Sequence, residues 1–360
     1  MKILFIAPLP PPVAGHSLAA KVFFDHLSQK NTVKPIDFNK ESFVDGFSSF
    51  NRVFEVFSIL KKVWREKKSI DIIYITISES FAGNLKDLFI YLICFRKLPN
   101  MYLHLHGGSI KRLLWDKYPI VHAINKFFIK RVKGVIISGT SHLVVFQDLV
   151  PPEKIHISPN FALDYLFLDE EKIIQKFLQI EPLRLLYMSN MIEKKGYSEL
   201  ADAYLELPAE LKRMIKIDFV GRFELESQKK SFLDKIDGVE NITYHGVVGD
   251  AEKKSLFAQA HIFCLPTSYF EGQPISILEA YASGCVVVTT GQSGILDIFE
   301  NKLNGFELGD GTAAFILPAL KKIIEERDNL LPVALLNRDK AGKNYTTTIY
   351  NRTLSKIIES

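Results

Sequence analysis

Glu271 and Glu279 stand eight residues apart in the stretch 263–290, the first in a polar loop and the second just over a turn into the helix that the pattern places after it. On a helix the i±3 and i±4 neighbours of Glu279 are Ser276, Ala282, Ile275 and Ser283, a small-residue face rather than a solvated charged one. A carboxylate buried there without partners costs several kcal/mol, so hydrogen-bond donors must reach it. The diol of a ribose is one chemistry that supplies them. Gly272 lets a ligand come close to the backbone, and the free N–H groups and dipole at the helix start favour an anion. Spacing alone leaves a second reading, a solvent-facing glutamate on an ordinary surface helix. Pro274 suits the first helical position and Gly284 the left-handed stop just past the end. The segment therefore reads as strand 261–265, loop, helix from Pro274, and strand 285–289.

Other residues able to do chemistry lie at strand ends. His106 follows a strand at 101–105 and precedes Gly107 and Gly108, at the carboxyl edge where open α/β sheets bind ligands. A histidine at such an edge serves structure as readily as function, and the glycines tilt the balance by letting backbone and ring lie against a substrate. His104, on the same side of the pleat, reads as core or edge. The proline-rich loop 8–17 with Gly15 joins a strand at 2–7 to a helix beginning near Leu18, with an anion site at the helix start. It lacks G-x-G-x-x-G, so a nicotinamide dinucleotide site is unsupported. A basic loop carrying Lys195 and Gly196 precedes another helix. Edge turns at Gly221 and at Gly246-Val247, after strands 216–220 and 241–244, suit a nucleobase held by backbone groups and apolar contact. No D-x-D, H-E-x-x-H or His/Cys cluster is present, so no metal is expected, and Lys with helix N-termini is left to neutralise a leaving group.

The run Glu271-Gly-Gln-Pro-Ile-Ser-Ile-Leu-Glu279-Ala-Tyr-Ala-Ser-Gly284 resembles the E-x7-E segment of the family 4 (group 1) glycosyltransferases, retaining enzymes of the GT-B fold that use nucleotide-sugar donors. The proline-rich loop is similar to that family's first loop, with Ala14 in place of a glycine, and His106 to Ser109 to its His-Gly segment. Ser189 to Gly196 resembles its phosphate clamp, with Lys195 matching and Asn190 standing where the family has Arg. The resemblance implies that Glu279 holds the ribose and Glu271 the hydroxyls of the transferring sugar. It assigns the diphosphate to Lys195 and the Gly15 backbone, and sets His106 against the sugar. His106, Glu271 and Lys195 form the implied catalytic set; Gly15, Asn190, Gly221, Val247, Gly272, Gln273, Glu279 and Gly294 form the donor-binding set. Gly294 enters through a glycine loop that in the family lies by the donor sugar and diphosphate.

The elements that must position these residues alternate strand and helix in both halves, which argues for parallel sheets covered on both faces. Strands are expected at 71–77, 134–138, 154–157 and 183–189, helices at 50–67, 85–96, 313–326 and 343–358, and a linker at 162–180. The expected fold class is α/β, GT-B, with two doubly wound Rossmann-like domains facing a central cleft: an acceptor-binding domain at 1–165, a nucleotide-sugar-binding domain at 166–340, and a C-terminal helix at 341–360 crossing back to the first domain. At 360 residues, 47% hydrophobic and 24% charged, the chain is sized for two soluble domains. Cys94, Cys264 and Cys285 sit in apolar runs and read as buried thiols of a reducing compartment.

Charge is uneven. Residues 1–160 carry 22 Lys+Arg against 12 Asp+Glu, a net +10, and residues 161–360 carry 23 against 29, a net −6. The basic half fits an anionic partner, a membrane surface or an acidic acceptor, although a solvated basic surface has the same composition. The stretches at 111–119 and 124–133 mix basic and large apolar residues as interfacial helices do, and as many core helices also do. No apolar run is long enough for a signal peptide or a spanning helix. The expectation is a cytoplasmic glycosyltransferase of the hexosyltransferase type, peripheral on the inner face of an anionic membrane. It would move a sugar from a nucleotide sugar to a saccharide or lipid-linked acceptor in bacterial surface-polysaccharide synthesis, with no cofactor and no nucleic acid. A binding-only partner subunit, motivated by Asn190, and a nucleotide-sugar epimerase of the same architecture are the alternatives.

Overall fold

The structure, a computed structural model, describes residues 1–38 and 49–360, with the side chains of the helix that opens the second segment described from Val53 onward. The chain forms two compact units. One comprises Met1–Asn160, Glu271–Gln273 and Thr348–Ser360; the other comprises Phe161–Phe270 and Pro274–Thr347.

The first unit is a parallel sheet of six strands in the order β2-β1-β3-β4-β5-β6. The chain visits β1 (Lys2–Ala7), α1 (Gly15–Ser28), β2 (Thr32–Asp37), α2 (Ser49–Glu66), β3 (Ile72–Thr76) and α3 (Phe81–Ile93). It continues through β4 (Met101–Leu105), α4 (Pro119–Ile129), β5 (Gly134–Ile137), α5 (Leu143–Phe146) and β6 (Ile155–Ile157). The central strands are buried residue after residue and apolar except for Thr76 and His104, as a sheet covered on both faces requires. Their register sets Tyr74 beside Tyr102 and Thr76 beside His104, so the carboxyl ends of β3 and β4 lie together.

The second unit repeats the plan with the strand order β12-β11-β10-β7-β8-β9. It runs through α6 (Glu170–Leu178), β7 (Leu183–Met188), α7 (Tyr197–Leu205), α8 (Ala209–Lys212), β8 (Ile215–Val220) and α9 (Glu226–Ile236). Next come β9 (Ile242–Tyr244), α10 (Asp250–Gln259), β10 (Ile262–Leu265), α11 (Ile275–Ala282), β11 (Val286–Thr290) and β12 (Gly305–Leu308). Helices α12 (Ala313–Glu325), α13 (Leu331–Asn344) and α14 (Thr347–Glu359) end the chain. From Thr348 onward α14 belongs to the first unit, where the Tyr350 ring lies 6.4 Å from that of Phe23.

Several elements depart from expectation for identifiable reasons. Strand β2 went unread because it is largely polar and interrupted by Pro35, which a sheet tolerates at an edge; it pairs with β1 from Lys2↔Thr32 to Ala7↔Asp37. Helix α1 starts at Gly15 rather than near Leu18, since the Ser17 hydroxyl accepts the Ala14 N–H at 2.9 Å and captures the first turn. Helix α3 covers 81–93 rather than 85–96, with Ser80 accepting the Gly83 N–H at 3.2 Å as its cap. The stretch 162–180 is not a plain linker: its i, i+4 pair Ile173 and Phe177 is the buried face of α6.

Pro274 is the N-cap of α11, extended at ψ 117°, rather than its first helical residue. Gly284 takes the left-handed conformation expected of it (φ 63°), and a Cβ there would meet the Ile173 side chain at 2.6 Å. The last segment is two helices, not one, broken where Ala162 N–H bonds the Tyr345 carbonyl at 2.7 Å. Phe50, expected on the apolar face of α2, lies outside the residues whose side chains are described. Among the described residues no helix is long and apolar enough to cross a membrane. Cys94, Cys264 and Cys285 are buried and free, and burial pushes their thiols up, Cys94 to about 11.

Candidate active site

In the first unit the site is built at the carboxyl end of β4. The loop 271–273 is seated there by its own polar groups. Asn160 donates its backbone N–H to Gln273 Oε1 at 2.5 Å and its side-chain amide to the Gln273 carbonyl at 2.7 Å, while Gln273 Nε2 donates to the Ser138 carbonyl at 3.3 Å. Gly272 then passes so close to the His106 carbonyl that a Cβ would lie 2.0 Å from its oxygen. Only glycine fits. His106, Glu271, Gly272 and Gln273 are thus brought together, with Glu271 and Gln273 buried.

The His106 ring lies 3.9 Å from that of His104, whose Nδ1 is hydrogen-bonded to the Tyr74 hydroxyl at 2.5 Å. Both ring nitrogens of His106, and Nε2 of His104, are buried without a hydrogen-bond partner among the described residues. Burial holds His106 well below the usual histidine range, and the neighbouring His104 and His16 imidazoles push the same way. Burial alone brings His104 to about 3. At neutral pH both rings are uncharged, so His106 presents one N–H donor and one lone pair, a set suited to hydroxyls rather than to an anion. His104 is part of this cluster and fully buried, which settles the core-or-edge reading as core.

Glu79 was missed by sequence reasoning. Its Oε1 accepts the backbone N–H groups of Ser109 (2.6 Å) and Ile110 (2.9 Å), and its Oε2 lies where a Cβ on Gly107 would be, 1.8 Å away. Burial pushes this carboxyl up and the two N–H groups oppose it. The carboxylate fixes the turn that carries His106. Its signal was a lone acid just past β3, next to the strand bearing the histidines. Gly15 is exposed and, among the described residues, has no heavy atom within 4 Å of a Cβ built on it, so their packing does not require a glycine there.

In the second unit the ends of β7, β8 and β9 close on one another. Gly221 (φ 152°) donates to the Gly246 carbonyl at 2.8 Å and accepts the Tyr244 hydroxyl at 2.8 Å, and a Cβ on it would lie 1.8 Å from the Ser189 oxygen. Asn190, Gly221 and Val247 therefore sit on adjacent strand ends, Val247 with its side chain exposed. The basic loop is pinned to the segment after β10. The Lys194 carbonyl accepts N–H groups from Ser268 (2.7 Å) and Tyr269 (3.0 Å), and Gly196 (φ 80°) passes against Pro266. The Lys195 ammonium lies 5.4 Å from the Tyr269 ring centroid.

Glu279 is 2% exposed, which removes the solvent-facing reading. The donor it requires is present in the protein: Lys253 Nζ on α10 lies 2.6 Å from Oε1. Burial pushes the Glu279 carboxyl up, Lys253 opposes that, and Asp250 reinforces it. Asp250 in turn accepts the Tyr165 hydroxyl at 3.0 Å. Lys253 carried no signal in the sequence, where it is one cation in a charged helix. Gly294 is buried in a turn at Ser293–Ile295 just after β11, whose end is tied to the β10 loop by Thr289 Oγ1 to the Leu265 carbonyl (2.8 Å) and Thr290 Oγ1 to the Thr267 carbonyl. Among the described residues no group of three or more His, Cys, Asp or Glu side chains is placed to hold a metal ion.

Residues 169–342 match the family described as glycosyl transferases group 1. Over 184 residues the chain is 28% identical to the amylovoran biosynthesis glycosyltransferase AmsK of Erwinia amylovora, covering 50% of this chain and 45% of that protein. The chain spans about half the length of curated relatives it matches. Among solved structures, Anabaena HepE in complex with UDP and glucose superimposes with a TM-score of 0.75 at 16% identity, covering 100% of this chain and 99% of that one. WaaG, a glycosyltransferase involved in lipopolysaccharide biosynthesis, gives 0.71 at 14% identity with 99% of each chain covered. Residues 169–342 thus belong to the group 1 glycosyl transferases, in a chain whose two parallel-sheet units have the GT-B fold.

Proposed function

We propose that the protein is a retaining glycosyltransferase that moves a sugar from a nucleoside-diphosphate sugar to a saccharide acceptor. The loop 271–273 carries the reading: it seats on the His106 carbonyl and leads directly into the helix that buries Glu279. One short stretch of chain thereby links the residues assigned to the transferring sugar with the one assigned to the ribose. The uncharged imidazoles of His104 and His106 fit a neutral sugar. In this reading Glu279, held by Lys253, accepts hydrogen bonds from the ribose; the turns at Gly221 and Val247 take the base; and Asn190, at the clamp position, and Gly294 lie by the diphosphate.

As the bond between sugar and phosphate oxygen breaks, negative charge grows on the diphosphate, and a fixed cation there is worth more in the transition state than in the bound donor. Lys195 supplies it, with the Gly15 backbone, and no metal is invoked. Retention of configuration comes from the family resemblance. Residues 166–340 are assigned to the donor and residues 1–165 to the acceptor. The names of AmsK and WaaG place those proteins in amylovoran and lipopolysaccharide biosynthesis. We extend that setting to this chain as surface-polysaccharide synthesis on a lipid-linked acceptor, at the cytoplasmic face of an anionic membrane.

Asn190 favours one rival, a partner subunit that binds donor without turning it over. Incubation with a panel of nucleotide sugars, with and without a membrane lipid extract, separates the readings. Release of nucleoside diphosphate that depends on the extract supports transfer; binding without release supports the partner subunit; an altered nucleotide sugar formed without extract supports an epimerase.

A further inference from the structure

Helix α3 packs against α2 on one side and α4 on the other, and its polarity is inverted for a helix on a water-facing surface. It buries Asn84, Lys86 and Asp87 together with Ile90 and Tyr91. It exposes Phe81, Leu85, Phe89 and Leu92, an i, i+4, i+8, i+11 stripe along one face. The buried polar groups are satisfied. Lys86 Nζ donates to Asp87 Oδ1 at 2.5 Å and lies 3.8 Å from the Phe38 ring centroid, and Asp87 Oδ2 accepts the Ser78 N–H at 2.7 Å.

Asn84 and Asn125 exchange side-chain amide bonds of 3.1 and 2.9 Å, which fixes α3 to α4. Helix α4 continues the apolar surface with Ile120, Ile124 and Phe127, Ile120 being 77% exposed. The stripes join at both ends, where the Phe81 ring meets Tyr118 at 5.0 Å and Phe95 stacks on Phe127 at 6.2 Å. Chain folded with its polar side chains inward and its aromatic and aliphatic ones outward has a purpose for the outer face, and a contiguous apolar patch of this extent marks an interaction site.

Charge decides the occupant. Helices α3 and α4 expose no acidic side chain, Asp87 being buried, while Arg96, Lys117, Lys130 and Arg131 stand exposed around the apolar stripe, with Asp116 the acid beside Lys117. A second copy docked through a two-fold axis would set this positive rim against itself. An anionic bilayer satisfies both parts, taking apolar side chains at the acyl boundary and cations at the head groups. We infer that the α3–α4 face docks in the plane of an anionic lipid surface through Phe89, Leu92, Ile120 and Ile124. This deepens the reading of a membrane-bound acceptor and rests on it only for its purpose. Binding is measured without donor or acceptor, so either can fail alone.

The test is co-sedimentation of the whole chain with vesicles of phosphatidylcholine alone or mixed with phosphatidylglycerol. The wild type is expected to partition onto the mixed vesicles, less so as salt is raised. The paired substitutions Phe89→Ser with Leu92→Ser, and Ile120→Ser with Ile124→Ser, each lower the partition coefficient at least about tenfold while circular dichroism stays unchanged. Hydrogen exchange on the vesicle-bound wild type needs no variant and should show protection at 81–95 and 118–127. Variants that partition like wild type, protection elsewhere, or no binding to anionic vesicles would overturn the inference. So would a wild-type dimer in sedimentation equilibrium that the Phe89→Ser, Leu92→Ser pair makes monomeric.

Discussion

Glu279, Lys195 and His104 each have a distinct observable. Glu279 is a buried carboxylate with one oxygen on Lys253. If it also accepts hydrogen bonds from a ribose, Glu279→Gln weakens nucleoside diphosphate binding by roughly 1.5–3 kcal/mol, the worth of a hydrogen bond to a charged group. Calorimetry giving wild-type affinity in the folded variant would contradict that role. If Lys195 acts on charge that grows during bond cleavage, Lys195→Ala should lower kcat by about 10² to 10³ with a smaller effect on donor KM. Asn190→Arg in that background should restore part of the loss. A near-normal kcat on the true acceptor would move the leaving-group charge to another residue.

His104 makes a statement about pH. The unfolded chain takes up a proton near pH 6.5, while the folded protein resists to about 3. Across that window the unfolded state binds more protons, so stability falls as pH drops. At pH 4.5 the loss from His104 alone is about 2–3 kcal/mol. Thermal melts from pH 7 to 4.5 should show this decline in wild type and a shallower one in His104→Gln; parallel slopes would show that the ring titrates normally.

At the scale of elements, the site depends on glycines where backbone meets backbone. Gly272→Ala places a methyl about 2.0 Å from the His106 oxygen, so the loop 271–273 must lift from the strand end. Turnover is expected to fall at least about tenfold with thermal stability changed by only a few degrees, because the loop is a small part of the core. Unchanged turnover in Gly272→Ala would mean the loop seats differently with substrate bound. The same scale shows what could be read in advance. Strands β1, β3, β4, β7, β8, β10 and β11 were visible because burial on both faces demands mostly apolar runs. Strand β2 was not, since an edge strand needs only one partner and tolerates Pro35. The motif loops were legible from glycine and proline. Glu79 and Lys253 were not, because their importance comes from neighbours 30 and 26 residues away in the chain, Ser109 and Glu279, and no local pattern records such pairing.

For the whole molecule, two parallel six-stranded sheets follow from the alternation of strand and helix, and that architecture was legible from period and punctuation alone. Its chemistry was not, until the E-x7-E run and the His-Gly segment were set beside a known family, since a fold of this kind hosts many reactions. The most direct measurement follows the sugar itself. A donor labelled in the sugar ring, incubated with the protein and a membrane lipid extract, should deliver label to the saccharide-bearing lipid fraction in an amount equal to the nucleoside diphosphate released, and none in its absence. Label recovered as free sugar, or retained in an isomerised nucleotide sugar whether or not extract is present, would contradict glycosyl transfer as the function of this protein.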